Sequence, residues 1–436
     1  MALGIYISVP FCRTKCSFCN FASGVVSRAV FARYVERVCA DIAAAEQLAA
    51  EVGGRFERDV DSIYLGGGTP TVLEPSGLER MFACVRDKFR VREGAEVTVE
   101  CAPGTITGEM LQGLVRCGVN RVSLGVQSFV DEESASVGRL HTRAIVLDDL
   151  ARLRAAGIAN ISIDLIAGLP HQTRQSWESS LSETIASGVP HVSVYMLEVD
   201  EDSRLGRELI AGGQRYHAHF VPDDDVTADL YLQACERLNA AGVQQYEISN
   251  FARDGRQSRH NLKYWTRQPY FGFGVDAHSM LGSDLRQARA AMESEISNYL
   301  EHAPNFGGAR ESHDSCFYAR MGVESVRLAT ADTLEPYLSG TPHERKEVGY
   351  AAALEEAYFL GLRLNRGLHA NELAERYGPE AATMFREQIA ELRSLGLLEV
   401  SDGVTRLTAR GRLLSNEVFQ EFVTTEQPET RVARKT

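Results

Sequence analysis

The chain is expected to fold as an α/β protein around a parallel sheet, either doubly wound or closed into a partial or complete barrel. Short β-branched runs recur through the first half, at 4–9, 61–67, 96–103, 120–126, 161–168 and 191–197. Between most of them lie stretches with apolar residues at helical spacing, such as SRAVFARYVERVCADIAAA and GEMLQGLVRCG. Strand–helix units in series need right-handed crossovers, and these give parallel strands. The conspicuous polar residues stand at the strand C-terminal ends, where folds of this kind place their active sites.

The first unit, residues 1–205, holds all six of these strands. The pattern then loosens. An extension at 206–302 carries a helix over TADLYLQACERLNAAG, then YEISNFAR and the aromatic stretch HNLKYWTRQPYFGFGVDAHSM. Residues 303–345 have weak periodicity and several Gly and Pro, and read as a loop-rich connection. Clear helices resume at 346–425 in KEVGYAAALEEAYFLGLRL, HANELAERYG and AATMFREQIAELRSLG. A turn at Asp402-Gly403 then separates two short strands before a final helix, which together resemble a winged helix. The last residues, 426–436, read as a frayed basic tail.

Composition narrows the function. At 44% hydrophobic and 24% charged the chain is an ordinary globular sequence, long enough for two or three domains. A net charge of −13 argues against a nucleic-acid backbone or an anionic membrane as the main partner, since both need a basic surface. No charged-then-apolar leader opens the chain, so a cytoplasmic location is expected. Nine cysteines are too few for a disulfide framework at this length. Six of them, Cys39, Cys84, Cys101, Cys117, Cys235 and Cys316, are scattered through regular segments and read as small buried hydrophobes.

The other three stand together. Cys12, Cys16 and Cys19 follow the first strand as CxxxCxxC. Closely spaced thiols in a reducing compartment point to metal or redox chemistry. Three thiolates can each take one iron of a cubane cluster, leaving one iron open to a small molecule. Structural zinc is the competing reading, but it wants four ligands, and neither a second CxxC pair nor a nearby histidine is present.

With an aromatic, Phe18, before the last cysteine, this loop resembles the signature of radical S-adenosylmethionine (SAM) enzymes. In that family the open iron is chelated by the amino and carboxylate groups of SAM, and the cluster's electron cleaves SAM to a 5′-deoxyadenosyl radical. The next strand ends in GGGTP, Gly66 to Pro70, which resembles the family's glycine-rich turn. Glycine there lets the backbone approach the methionine end of the cofactor closely. Further stretches, VTVECAPGT, RVSLGVQSF, VGRLH, ISIDLIAGLPHQT and YEISNFAR, resemble the oxygen-independent coproporphyrinogen oxidase group in order and spacing. The resemblance implies a partial (β/α)6 barrel followed by the smaller α+β domain. It also implies that Tyr6, Phe18, Gly67, Gly68, Thr69, Glu100, Gln127, Arg139 and Asp164 line the SAM site. The side chains suit that role. The two carboxylates and the glutamine can accept from hydroxyl or amine groups, and arginine can fork onto a carboxylate.

Two features point to one branch of that group. Coproporphyrinogen oxidases continue the motif to a fourth cysteine, where this chain has Phe21, the residue of the HemW haem-chaperone branch. HNLKYW, residues 260–265, matches the HNxxYW motif of the same branch, associated there with haem. His260 offers an imidazole to iron, and Tyr264 and Trp265 offer flat faces to a porphyrin. His278 is a second candidate, placed by its position nearer the SAM pocket. Ser8 stands where both branches carry a histidine, a departure that leaves the cluster ligands intact. The resemblance thus implies a 4Fe–4S cluster, SAM and haem as bound groups. A low-potential electron donor and a haem acceptor, such as a membrane respiratory protein, are the implied partners. The alternative is a coproporphyrinogen III oxidase, decarboxylating propionates by radical chemistry. A radical C-methyltransferase would need a second SAM, for which no site is legible.

Overall fold

The computed structural model describes residues 2–201, 203–283 and 322–423. The tail read at 426–436, and the parts of the extension and connection between 284 and 321, lie outside the described residues. Six strands form where the runs predict them: β1 (Leu3–Val9), β2 (Asp59–Gly67), β3 (Arg90–Cys101), β4 (Arg121–Gln127), β5 (Asn160–Ala167) and β6 (His191–Met196). They pair in parallel and in chain order.

The strands alternate. One set of positions, including Ile5, Ile7, Ile63, Leu65, Val97, Val99, Val122, Leu124, Ile161, Ile163, Val192 and Val194, is buried in the main hydrophobic core. Helices cover this face. The helix Ala29–Glu51 turns Phe31, Tyr34, Val35, Val38, Ile42, Ala45 and Ala49 inwards, a stripe at three- and four-residue spacing. The helix Arg174–Ser187 is fixed by a Thr173–Ser176 capping box and ended by left-handed Gly188. The opposite sheet face is polar at every second residue. Register aligns Tyr6 with Tyr64, Tyr64 with Thr98, Glu100 with Ser123, Ser123 with Ser162, and Asp164 with Ser193. An inner surface of this kind is a site, not a core.

The sheet is larger than the sequence suggests. Within the loosened region lie β7 (Gln244–Gln245), β8 (Asn250–Ala252), β9 (Tyr270–Gly274) and β10 (His278–Gly282). The connection read as loop-rich is corrected over its described part. Residues 322–345 hold β11 (Val323–Ala329), the helix Leu334–Leu338 and the start of β12 (Glu344–Gly349). These strands were missed because β12, ERKEVG, is exposed along most of its length and carries no apolar alternation. For the same reason the helix expected to begin at KEVG starts instead at Tyr350. Strands β1 to β12 form one sheet in the order β12-β11-β10-β9-β1-β2-β3-β4-β5-β6-β8-β7, with β9 parallel to β1 and β10 to β12 antiparallel.

The C-terminal part packs as a second core around Leu354, Tyr358, Leu362, Phe385, Leu398, Leu407 and Phe422. β13 (Leu368–His369), β14 (Leu398–Ser401) and β15 (Val404–Leu407) form a small antiparallel sheet in the order β13-β15-β14. Asp402 and Gly403 both have positive φ, as the predicted two-residue turn requires. The expected final helix is two short ones, Ala409–Leu413 and Ser415–Gln420. No helix among the described residues is long and apolar enough to cross a membrane.

Candidate functional site

The three loop cysteines follow β1 directly and are all free thiols. Their loop is pinned on several sides. Cys12 N–H donates to the Gly24 carbonyl at 3.0 Å and Ser17 N–H to the Val137 carbonyl at 3.1 Å. Leu205 N–H donates to the Ser17 carbonyl at 2.9 Å. The Thr69 hydroxyl reaches the Cys12 sulfur at 3.8 Å. Burial pushes the Cys16 thiol up, against the nearby Arg139 guanidinium. Among the described residues no three His, Cys, Asp or Glu side chains could share a single metal ion. Phe18 packs beside Val137, Ile166 and Leu169 and walls the loop from behind.

The glycine turn lies across from the loop, and its geometry admits little else. A Cβ on Gly68 would stand 2.7 Å from the Val9 carbonyl oxygen and 2.8 Å from that of Phe11. Gly67 has φ +93° and faces Ser8 and Tyr6. Gly67 N–H donates to Glu100 Oε2 at 3.2 Å, and the Tyr64 hydroxyl donates to Oε1 at 2.8 Å. Ser123 donates to both Asp164 oxygens, at 3.1 and 3.0 Å, and Ser162 to one at 3.3 Å. Gln127 ends β4 with φ +68°, and Arg139 donates to the Gly125 carbonyl beside it. Arg139 Nε is buried without a partner, so the guanidinium keeps a donor in reserve. Contacts thus join Tyr6, Gly67 and Glu100, and place Arg139 at the Gly125 carbonyl two residues before Gln127, while Thr69 and Arg139 line a second cavity.

Glu100 is the electrostatic centre. Burial pushes its carboxyl up to about 7, the Asp164 charge adding to this, against hydrogen bonds from Tyr64 and Gly67 and the Arg121 charge. The folded pKa lies above the ordinary 4.5, so the native state holds this proton more tightly. Its contribution to folding is thus unfavourable above pH 7 and is relieved as pH falls through 7 towards 4.5. Relative to Glu100→Gln, the ligand-free protein is expected to gain on the order of 3 kcal/mol over that window, read from urea midpoints against pH. Parallel pH profiles for the two proteins would remove Glu100 from the titrating groups.

HNLKYW forms the short helix Arg259–Trp265, which closes the inner face at the strand N-terminal ends. Its residues part company. His260 is 0% exposed, with Nδ1 3.0 Å from Ser62 Oγ and Nε2 2.9 Å from the Tyr264 hydroxyl. Arg259 and His260 N–H groups donate to the Glu96 carboxylate at 3.1 Å each. Tyr264 reaches a cavity of about 250 Å³ shared with Tyr6, Phe21, Gly67, Tyr270 and His278. Trp265 turns away and stacks under the Arg363 guanidinium at 4.3 Å, against the C-terminal part.

Several site residues were not singled out from the sequence. Tyr64, Ser123, Ser162, Ser193 and buried Arg121 share the polar face, and their signal was the alternation itself. Tyr270 and Asp276 were passed over because the aromatic stretch shows no strand pattern.

The radical SAM superfamily model matches residues 6–183, and the HemN C-terminal domain model matches 351–414. A Bacillus subtilis protein named Heme chaperone HemW is 31% identical over 96% of this chain and 98% of its own. A Synechocystis protein of that name is 36% identical over 91% of this chain and 85% of its own. The solved coproporphyrinogen III oxidase HemN of Escherichia coli superposes with a TM-score of 0.75, covering 97% of this chain and 90% of that one at 21% identity. That likeness speaks for the fold. The end-to-end identity goes further, and on it the chain belongs to the HemW family of the radical SAM superfamily.

Proposed function

We propose that the protein is a haem chaperone which binds a 4Fe–4S cluster, SAM and haem and passes the haem to an acceptor protein. The observation that carries this reading is a meeting of residues. Phe21, in place of a fourth cysteine, and Tyr264 of HNLKYW are distant in sequence, yet both face the cavity beside Tyr6 and Gly67. Aromatic walls suit a flat apolar macrocycle.

Cys12, Cys16 and Cys19 would hold the cluster, which supplies a low-potential electron when bound. The glycine turn would present backbone to the methionine end of SAM, while Glu100 and Asp164 would accept from its amine and hydroxyl groups. Arg139, whose Nε has no partner, would supply a cation for its carboxylate. The apolar packing of Phe18 shields the loop from water.

The competing reading is oxidative decarboxylation of coproporphyrinogen III. Anaerobic reconstitution with SAM, a low-potential reductant and that porphyrinogen separates the two by mass spectrometry. No decarboxylated product, together with saturable one-to-one haem binding, is the expected outcome. Product formed at steady turnover would make the protein an oxidase and overturn the carrier reading.

A further inference from the structure

Resting on that carrier reading, we infer that the haem iron is taken by His278 at the cavity mouth, and that His260 only positions Tyr264 from beneath. The motif histidine is poorly placed to ligate. A neutral imidazole has one N–H and one lone pair, and both ring nitrogens of His260 are already spent, on Ser62 and Tyr264. Burial drives its pKa down to about 3, with the Lys263 and Arg121 charges adding to this, so the ring stays neutral. The Tyr264 hydroxyl stands on Nε2, and it is Tyr264 that lines the cavity. Iron could reach this ring only after the Tyr264 contact is broken and a fully buried side chain is exposed.

His278 has none of these obstacles. It opens β10, its side chain is 63% exposed, and it lines the cavity opposite aromatic neighbours. The Asp276 carboxylate lies 3.8 Å from its Nε2, close enough to orient the ring yet too far to occupy the nitrogen. The surrounding rings are Tyr6, Phe21, Tyr264 and Tyr270. Phe21 is 65% exposed. One exposed phenylalanine is unremarkable, but one that edges a cavity walled by three tyrosines is a candidate macrocycle contact.

Another cluster of imidazoles offers the test its control. His171 and His217 lie 2.9 Å apart, with Phe220 against His171. Ferric haem is titrated into the cluster-loaded full chain and read by electron paramagnetic resonance, where the oxidised cluster is silent. His278→Gly is expected to lose the imidazole-ligated signal and bind haem at least tenfold more weakly, and added imidazole is expected to restore the signal. His260→Gln, which can keep hydrogen bonds to Ser62 and Tyr264, is expected to retain both signal and affinity, as is His217→Ala. A wild-type signal in His278→Gly, or its loss in His260→Gln or His217→Ala at unchanged iron–sulfur content, would overturn the assignment. If the unaltered protein shows no saturable haem signal at all, the carrier reading fails instead.

Discussion

Cys16→Ser is expected to abolish cluster assembly. Iron after anaerobic reconstitution should fall from about four per chain to well below one, and SAM binding should fall with it. The reason lies in where Cys16 sits. It is the buried member of the trio, held between Ser17, tied to Val137, and Cys19, whose N–H donates to the Cys16 carbonyl at 3.3 Å. A serine hydroxyl keeps the shape but does not become an alkoxide at neutral pH, and iron needs the thiolate. Burial already raises the Cys16 thiol, so its proton leaves when metal arrives. Cys84→Ser supplies the control. It removes a thiol packed at the edge of the core, far along the chain from the loop, and should reconstitute as the parent does. Full iron content in Cys16→Ser would mean that the ligand set is wrong.

That this loop could be read from residues alone follows from its chemistry. Three thiols at fixed spacing after a strand have few alternative explanations, and the glycine turn that faces them is forced by contacts under 3 Å. The six parallel strands were equally legible, because each carries its apolar residues on the helix-covered face. What escaped notice was the other half of the same pattern. Tyr64, Arg121, Ser123, Ser162 and Ser193 fall at every second position of those runs and mark a polar interior rather than a continuous core. Strands β7 to β12 were hidden for other reasons. β7 to β10 are short and β12 is exposed, and the pairing is decided by partners distant in sequence, such as β9 lying beside β1.

HNLKYW spreads its side chains over one short helix. Its three expected haem residues, His260, Tyr264 and Trp265, point into different surroundings. His260 seals the inner face through Ser62, and Tyr264 fronts the cavity. Trp265 joins the C-terminal part under Arg363, which itself pairs with buried Glu247 at 2.9 Å. A helical turn sends neighbouring side chains in different directions, so adjacency in sequence is weak evidence for a shared role.

The residue two positions beyond that motif carries the largest stability effect we expect. Arg267 is 1% exposed and has φ +50°. It donates to Glu356 at 2.8 Å, to the Tyr377 hydroxyl at 2.9 Å and to Glu324 at 3.1 Å. It thereby ties the HNLKYW helix to β11 and to the C-terminal helices Tyr350–Leu362 and Ala370–Tyr377. Removing one member of a buried ion pair costs several kcal/mol, because the partner's charge remains without compensation. Here the loss is softened, since Arg327 still meets Glu356 at 2.9 Å and Arg376 still meets Glu324 at 3.3 Å. Arg267→Met, which keeps most of the volume, is therefore expected to destabilise the protein by about 3 kcal/mol, the low end of that range. The chain has 2 tryptophans, and Trp265 sits at this junction, so its fluorescence reports the loss directly. An early urea transition in Trp265 emission, ahead of the loss of barrel structure, is the expected signature of a C-terminal part that detaches first. A midpoint within about 0.5 kcal/mol of the parent would mean that Arg327 and Arg376 carry the junction and Arg267 is dispensable.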